Sequence, residues 1–194
     1  MENIQYIYPN KRNGVNPQIF GLWLGICGIT MMFAALTSAY LVRKGAGNWL
    51  EFHLPSPFYY STLAIILSSI SLYFSSVMLK EAKFAMYRLS LVLTFILGIV
   101  FIYLQVSGWK IMYSHGLDIK VNPSASFLYA IPGLHILHVI GGLICLIVAM
   151  IHAFFLPNKV SEKRLFRLKL TSQYWHFVGL LWVYLLIFFY IEQP

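Results

Sequence analysis

The sequence predicts an all-α, polytopic membrane protein: one bundle of five transmembrane helices over residues 1–194, N-terminus cytoplasmic and C-terminus outside. Three observations predict it. Hydrophobic residues make up 59% of the chain and charged residues 10%, where a soluble domain carries roughly 25% charged residues; most of this surface needs lipid as its solvent. Five stretches reach the length of about 20 apolar residues that a helix needs to cross the hydrocarbon core. The Lys and Arg between those stretches fall mostly on one side.

The first helix is expected over about 19–42, ending at Arg43-Lys44. No apolar core precedes it in residues 1–17, which contain Asn, Lys, Arg and Pro, so this helix is expected to act as its own insertion signal. Gly21, Gly25, Gly28, Ala35 and Ala39 recur at helical spacing and predict a close-packing stripe. The second helix, about 58–79, begins just after Pro55 and Pro57 and carries Ser61, Ser68, Ser71 and Ser75 on one side. The third covers about 89–109. In the fourth, Pro132 is read as marking the first turns, with a core over about 133–155 stopped by Pro157; Gly141-Gly142 marks a second close contact. The fifth covers about 171–191. The loops are short, so neighbouring helices should pack antiparallel, and none can hold a soluble domain.

Orientation comes from the cations. Lys11, Arg12, Lys80, Lys83, Arg88, Lys159, Lys163, Arg164, Arg167 and Lys169 fall on one side, and only Arg43, Lys44, Lys110 and Lys120 on the other. This bias places the first side in the cytoplasm. Trp49, Tyr59, Tyr60, Trp109, Tyr113, Tyr174 and Trp175 lie near the expected helix ends, where interfacial aromatics anchor.

The composition also excludes functions. The net charge of +8 sits in short clusters between apolar runs, the pattern of membrane loops rather than of nucleic-acid binding. Cys27 and Cys145 lie in apolar segments and are read as buried free thiols. All six acidic residues (Glu2, Glu51, Glu81, Asp118, Glu162, Glu192) lie outside the five helix cores, whereas pumps and ion-coupled transporters need intramembrane carboxylates. No nucleotide loop, Cys-based metal motif or nucleophile–base constellation is present.

Four histidines lie in or near the spans: His135, His138, His152 and His176. His135 and His138 share a helix face, and His152 stands about 21 Å further along the axis. That separation suits two haem layers, but paired axial ligands must come from facing helices, and only His176 is offered by another helix. The competing reading has these imidazoles bonding neighbouring helices or lipid headgroups.

Helix five carries Tyr174-Trp175-His176-Phe177-Val178 with Trp182 following; helix four carries Gly133-Leu134-His135-Ile136-Leu137-His138-Val139-Ile140-Gly141-Gly142. Helix one contributes Met31-Met32-Phe33-Ala34-Ala35-Leu36 and Ala39-Tyr40, helix two Ser68-Ser69, and helix three Gln105 with Trp109. In this order, over about residues 18–192, these runs resemble subunit III of haem–copper terminal oxidases (cytochrome c oxidase subunit III), in its short five-helix bacterial type that lacks the first two helices. Three positions depart from the family pattern, each by loss of an acid: Ile29 and Gly108 stand where Glu is usual, and Gly179 where the aromatic-histidine run usually ends in Asp.

The resemblance implies a subunit without catalytic, cofactor or metal residues, in a respiratory complex of the bacterial inner membrane that reduces oxygen to water and pumps protons. Haem and copper are then expected in partner subunits I and II. The chain would pack on subunit I, bind phospholipid, support stability and proton uptake, and have no nucleic-acid partner; a larger respiratory supercomplex is compatible. His135, His138, Gly141, Tyr174 and Trp182 would be packing residues. Arg164, Arg167 and Lys169, with Trp175 and His176 just inside them, are the expected lipid contacts, since cations at headgroup depth favour anionic phosphates by about 1 kcal/mol each. The alternatives are a membrane cytochrome b-type carrier and the accessory subunit of a nitric-oxide reductase. The electron donor, cytochrome c or quinol, is not encoded in this chain.

Overall fold

The computed structural model describes residues 16–47, 49, 53–117 and 123–193. Lys11, Arg12, Lys120, Glu2, Glu51 and Asp118 lie outside the described residues. Five helices account for almost all of it: α1 (Pro17–Gly45), α2 (Ser56–Lys80), α3 (Phe84–Ser114), α4 (Pro123–Phe155) and α5 (Glu162–Ile191). All five are long and apolar enough to cross a membrane.

Local chemistry explains where they start and stop. Asn16 caps α1 by accepting from the Gln18 amide at 3.0 Å, with Pro17 in the first turn. Arg43 and Lys44 complement the dipole at its far end. At the end of α2 the Lys83 amide donates to the Met78 carbonyl and that of Ala82 to Leu79, a Schellman closure in which Ala82 takes a left-handed φ of 57°. Ser161 opens α5, its hydroxyl accepting from the Arg164 amide at 3.3 Å.

The helices outrun the expected spans because hydropathy reads the hydrocarbon core alone, while the helices continue through the headgroup layer. α3 extends at both ends. α4 begins at Pro123, not about 133, so Pro132 is inside the helix rather than in its first turns; it costs one backbone donor, which membrane helices tolerate when neighbours re-satisfy the freed group. α5 begins at Glu162, not about 171. That shift has a consequence for the site, because Tyr174, Trp175 and His176 then lie near the middle of α5 rather than at its end.

Helices α2, α3, α4 and α5 form a closed ring in which each packs on the next, and α5 returns to α2; α1 lies outside, touching only α4 and α5. The buried residues of α1 are Phe33, Thr37 and Tyr40, all in its second half. That half is fastened by the Tyr184–Thr37 hydroxyl contact (3.0 Å) and by a Lys44–Glu192 ion pair of 2.8 Å. Tyr40 adds edge contacts to Trp49, Phe127 and Phe188. The turns before Ile29 bury no side chain fully among the described residues. A Cβ added to Gly21, Gly25 or Gly28 would meet nothing within 4 Å, so the glycines of the expected close-packing stripe on helix one make no close contact among the described residues. Cys27 and Cys145 are free thiols but exposed on the bundle surface, not buried as expected; the outward faces of these helices are largely apolar, and a thiol is accommodated there as a small hydrophobe.

Candidate functional site

The aromatic-histidine run of α5 is built into the centre of the ring. Trp175 is 1% exposed and Trp182 0%. Each indole is fixed by one hydrogen bond to α2: Trp175 Nε1 donates to Ser68 Oγ at 2.9 Å and Trp182 Nε1 to Thr62 Oγ1 at 2.8 Å. Gln105 Nε2 of α3 donates to Ser61 Oγ at 2.8 Å. The Trp175 and Gln105 pairs occupy the serine-rich side of α2 picked out from spacing, and all three satisfy polar groups that would otherwise be costly in lipid.

Room for Trp175 comes from two glycines. A Cβ at Gly98 would lie 2.8 Å from its Cη2 atom, and one at Gly142 2.9 Å from its Cε3. The ring is therefore clasped between α3 and α4. The family-motif residues gather around it. His135 is wholly buried among the rings of Phe33 (6.2 Å between centroids), Phe101 (5.8 Å) and Trp182 (5.2 Å). His138 Nδ1 is 2.7 Å from the Leu134 carbonyl. The Tyr174 hydroxyl donates to the His138 carbonyl at 3.1 Å and lies against the Gly141 position.

Trp175, expected at headgroup depth with His176, is thus placed in the core. The four histidines are not brought together either. Phe33 of α1 contacts both His135 and His138, while His176 lines a furrow between α2 and α5. His152 stands at the end of α4, its Nε2 3.2 Å from Arg167 Nη1. Among the described residues, no three His, Cys, Asp or Glu side chains form a group able to hold a metal ion.

The positions of the lost acids are filled in different ways. At Gly108 a Cβ would lie 2.7 Å from the Phe58 ring, which stacks on Trp182. At Gly179 it would lie 3.2 Å from Ser69 Oγ. Ile29 packs at the edge of the core.

The cations concentrate at the end of the bundle where α2 and α4 finish and α3 and α5 begin. Two grooves open there, on either side of Leu168. The first, of about 400 Å³, is lined by Arg164, Arg167, Lys159, Lys163 and His152 over an apolar floor of Leu156 and Leu168. Arg164 also has a structural task. Its guanidinium donates to the carbonyls of Pro157 (3.4 Å), Lys159 (3.3 Å) and His152, and lies over the Tyr87 ring. Arg88 does the same from α3, donating to the Ala153 carbonyl and to Asn158 Oδ1 at 2.8 and 2.7 Å. Together they satisfy carbonyls that the C-terminus of α4 leaves open. Sequence counted Arg88 only toward topology; nothing in its spacing marks it as a clamp. The second groove, of about 430 Å³, lies between α2 and α5 and takes Lys169 and His176, with Lys80 facing them. The expected lipid contacts therefore divide between two surfaces, Arg164 and Arg167 on one, Lys169 and His176 on the other.

A family model described as cytochrome c oxidase subunit III matches residues 51–193. A cytochrome bo(3) ubiquinol oxidase subunit 3 from Buchnera aphidicola subsp. Schizaphis graminum is 25% identical over 182 residues, 91% of this chain and 95% of the relative. A cytochrome c oxidase subunit 3 from Thermostichus vulcanus is 27% identical over 181 residues, covering 90% and 87%. A probable cytochrome c oxidase subunit 3 from Mycobacterium bovis is 29% identical over 168 residues, covering 82% and 80%.

Proposed function

The chain belongs to the cytochrome c oxidase subunit III family, a multi-pass component of terminal oxidase complexes in the bacterial inner membrane, and from this we propose that it is the non-catalytic subunit III that packs on subunit I of such an oxidase. The observation that carries the reading is the family match over 51–193, joined to a core in which four of the motif side chains are spent on packing. His135 is enclosed by rings, Trp175 and Trp182 are bonded to α2, and Tyr174 ties α5 to α4. None of these side chains is left pointing into a substrate-sized opening.

On this reading haem and copper reside in subunits I and II, and the electron-transfer and oxygen chemistry, with its proton pumping, is theirs. This chain supports the stability and proton uptake of that assembly. The open first half of α1, with Phe20, Trp23 and Leu24 exposed, offers it apolar contact area beyond the ring. The basic end faces the cytoplasm, and phospholipid headgroups sit over the Arg164–Arg167 groove, where cations surround an apolar floor. Membership of a larger respiratory supercomplex is compatible with the same surfaces. The relatives' names divide between cytochrome c and ubiquinol oxidases, in keeping with a donor site that lies elsewhere.

The test is a mild-detergent pull-down of the tagged chain, with mass spectrometry and a visible spectrum. Large haem- and copper-bearing subunits should copurify, and the chain separated from them should be colourless. A reducible haem spectrum retained by the isolated chain would show that its histidines ligate haem and would refute the reading.

A further inference from the structure

We propose that water molecules are built into the seam between α3 and α4 on either side of Pro132. Trp109 and the Leu128 carbonyl hold water toward the end where α3 finishes and α4 begins, and Gln105 and His135 hold it deeper in the ring.

Four polar side-chain atoms along this seam have no hydrogen-bond partner among the described residues: Trp109 Nε1, Gln105 Oε1 and both ring nitrogens of His135. Gln105 and His135 are each 0% exposed. Buried polar atoms are seldom left unpartnered, and inside a bilayer bulk water does not reach them. A fifth group belongs to the backbone. Pro132 lies inside α4, so its nitrogen has no hydrogen to give the Leu128 carbonyl four residues earlier. Leu128 is itself wholly buried.

The antiparallel register of α3 and α4 brings these groups to two levels. A Cβ on Gly98 would lie 2.8 Å from Leu143 Cδ2, and one on Gly133 would lie 3.7 Å from Trp109 Cη2. Counted from either contact at about 1.5 Å per residue, Gln105 stands within about 3 Å of the height of His135. The same level holds Ser61, which accepts from Gln105 Nε2 at 2.8 Å, and Trp182, whose ring centroid is 5.2 Å from that of His135. The Trp182 indole is already satisfied by Thr62. What is left is an amide oxygen that only accepts and an imidazole that carries at least one N–H and, when neutral, one acceptor nitrogen. Water donates and accepts at once and so complements the set; an apolar guest or an ion does not.

The second level makes the same demand. Trp109 lies along the turn that Pro132 interrupts, its ring 5.9 Å from that of Tyr129 and its edge against the Gly133 position. Trp109 Nε1 only donates and the Leu128 carbonyl only accepts. Water accepts from the first and donates to the second, the two or more bonds to polar groups that a buried water needs. The Tyr129 hydroxyl stands beside this level, donating to the carbonyls of Trp109 at 3.3 Å and Leu117 at 2.9 Å. Hydration of the seam thus accounts both for a proline in the middle of a membrane helix and for a histidine enclosed by aromatic rings.

The test is hydroxyl-radical footprinting by X-ray pulses in heavy-oxygen water. It uses the full chain in mild detergent with the subunits that accompany it, read by mass spectrometry. Radicals formed from a bound water label the side chains beside it. His135 and Leu128 should be labelled, whereas Trp175 and Leu91, equally buried and away from the seam, should not. Pro132→Ala restores an N–H to the Leu128 carbonyl; the Leu128 label should be lost and that of His135 kept. Gln105→Leu should reduce the His135 label. If that variant does not accumulate, Pro132→Ala and the unaltered chain decide. Labelling of His135 and Leu128 no faster than that of Trp175 and Leu91, or a Leu128 label unchanged by Pro132→Ala, would overturn the proposal. So would a density map in which a His135 nitrogen bonds directly to Gln105 Oε1.

Discussion

At the scale of single residues, this core is decided by which positions carry no side chain. Gly98 and Gly142 admit the Trp175 ring at distances where a Cβ would collide, 2.8 and 2.9 Å, and interiors packed this tightly do not absorb extra atoms cheaply. Gly108 is the sharper case, because the family resemblance expects Glu there and Phe58 has taken the volume. Gly108→Glu is therefore expected to destabilise the bundle by more than about 2 kcal/mol, from overpacking and from burying a carboxyl group in the membrane. Phe58→Leu in the same chain should recover part of that loss. Unfolding of the two single variants and the double variant in detergent measures it. A coupling of about 0.5–3 kcal/mol between the positions is predicted, and simple additivity would show that Phe58 is not what fills the space. From sequence, Gly108 and Gly179 were visible only as missing acids. What faces each position now, the Phe58 ring at one and the Ser69 hydroxyl at the other, belongs to α2 and could not be read from α3 or α5 alone.

At the scale of elements, the ends of helices carry most of what is specific. The C-terminus of α4 is held by Arg88 and Arg164 reaching in from two other helices to the Ala153 and His152 carbonyls. Arg164→Leu is expected to free those carbonyls and loosen the 156–161 connection. Amide hydrogen exchange there should speed up by about tenfold, equivalent to about 1.4 kcal/mol of local opening, while the centre of α4 is unchanged. Unaltered exchange would mean that the arginine is simply a surface charge. The same helix ends explain why the aromatic-histidine run was misplaced in depth. Hydropathy starts α5 where the apolar run starts, but Ser161 caps a helix that opens nine residues sooner than the expected 171, at Glu162. The polar turns Glu162–Lys169 are helical because they are capped and anchored, not because they are apolar.

At the scale of the molecule, the ring of α2–α5 with α1 leaning on its outside is a choice that five equally apolar helices do not announce. α1 is fastened near one membrane face, by Lys44 to Glu192 and Thr37 to Tyr184, and is open toward the other. The side chains of that ion pair are 34% and 19% exposed, so aromatic packing around Tyr40 matters more to the attachment than the charges do. Orientation is testable at this scale too. Lys163 and Lys110 are exposed at opposite ends of the bundle. With the basic end in the cytoplasm, Lys110→Cys should react with a membrane-impermeant maleimide in intact cells, and Lys163→Cys only after lysis. The reverse pattern would invert the topology.

The sequence by itself determined that lipid is the solvent, that five helices cross it, which end is basic, and which family the motif order resembles. These follow from composition, from runs of about 20 apolar residues and from the placement of Lys and Arg, all properties of the chain taken locally. It also marked the serines of α2 as one face, since spacing within a helix is local. Only the tertiary structure decided that Trp175 is a core residue rather than a lipid anchor. It alone showed that the small-residue stripe of α1 faces outward, that the two cysteines are exposed, and that the basic residues divide between two grooves. In a membrane, inside and outside are both apolar, so hydrophobicity does not separate a buried face from a lipid-facing one. That distinction lies in pairs of residues on different helices, in glycines opposite rings and indoles opposite hydroxyls, and exists only once the helices have met.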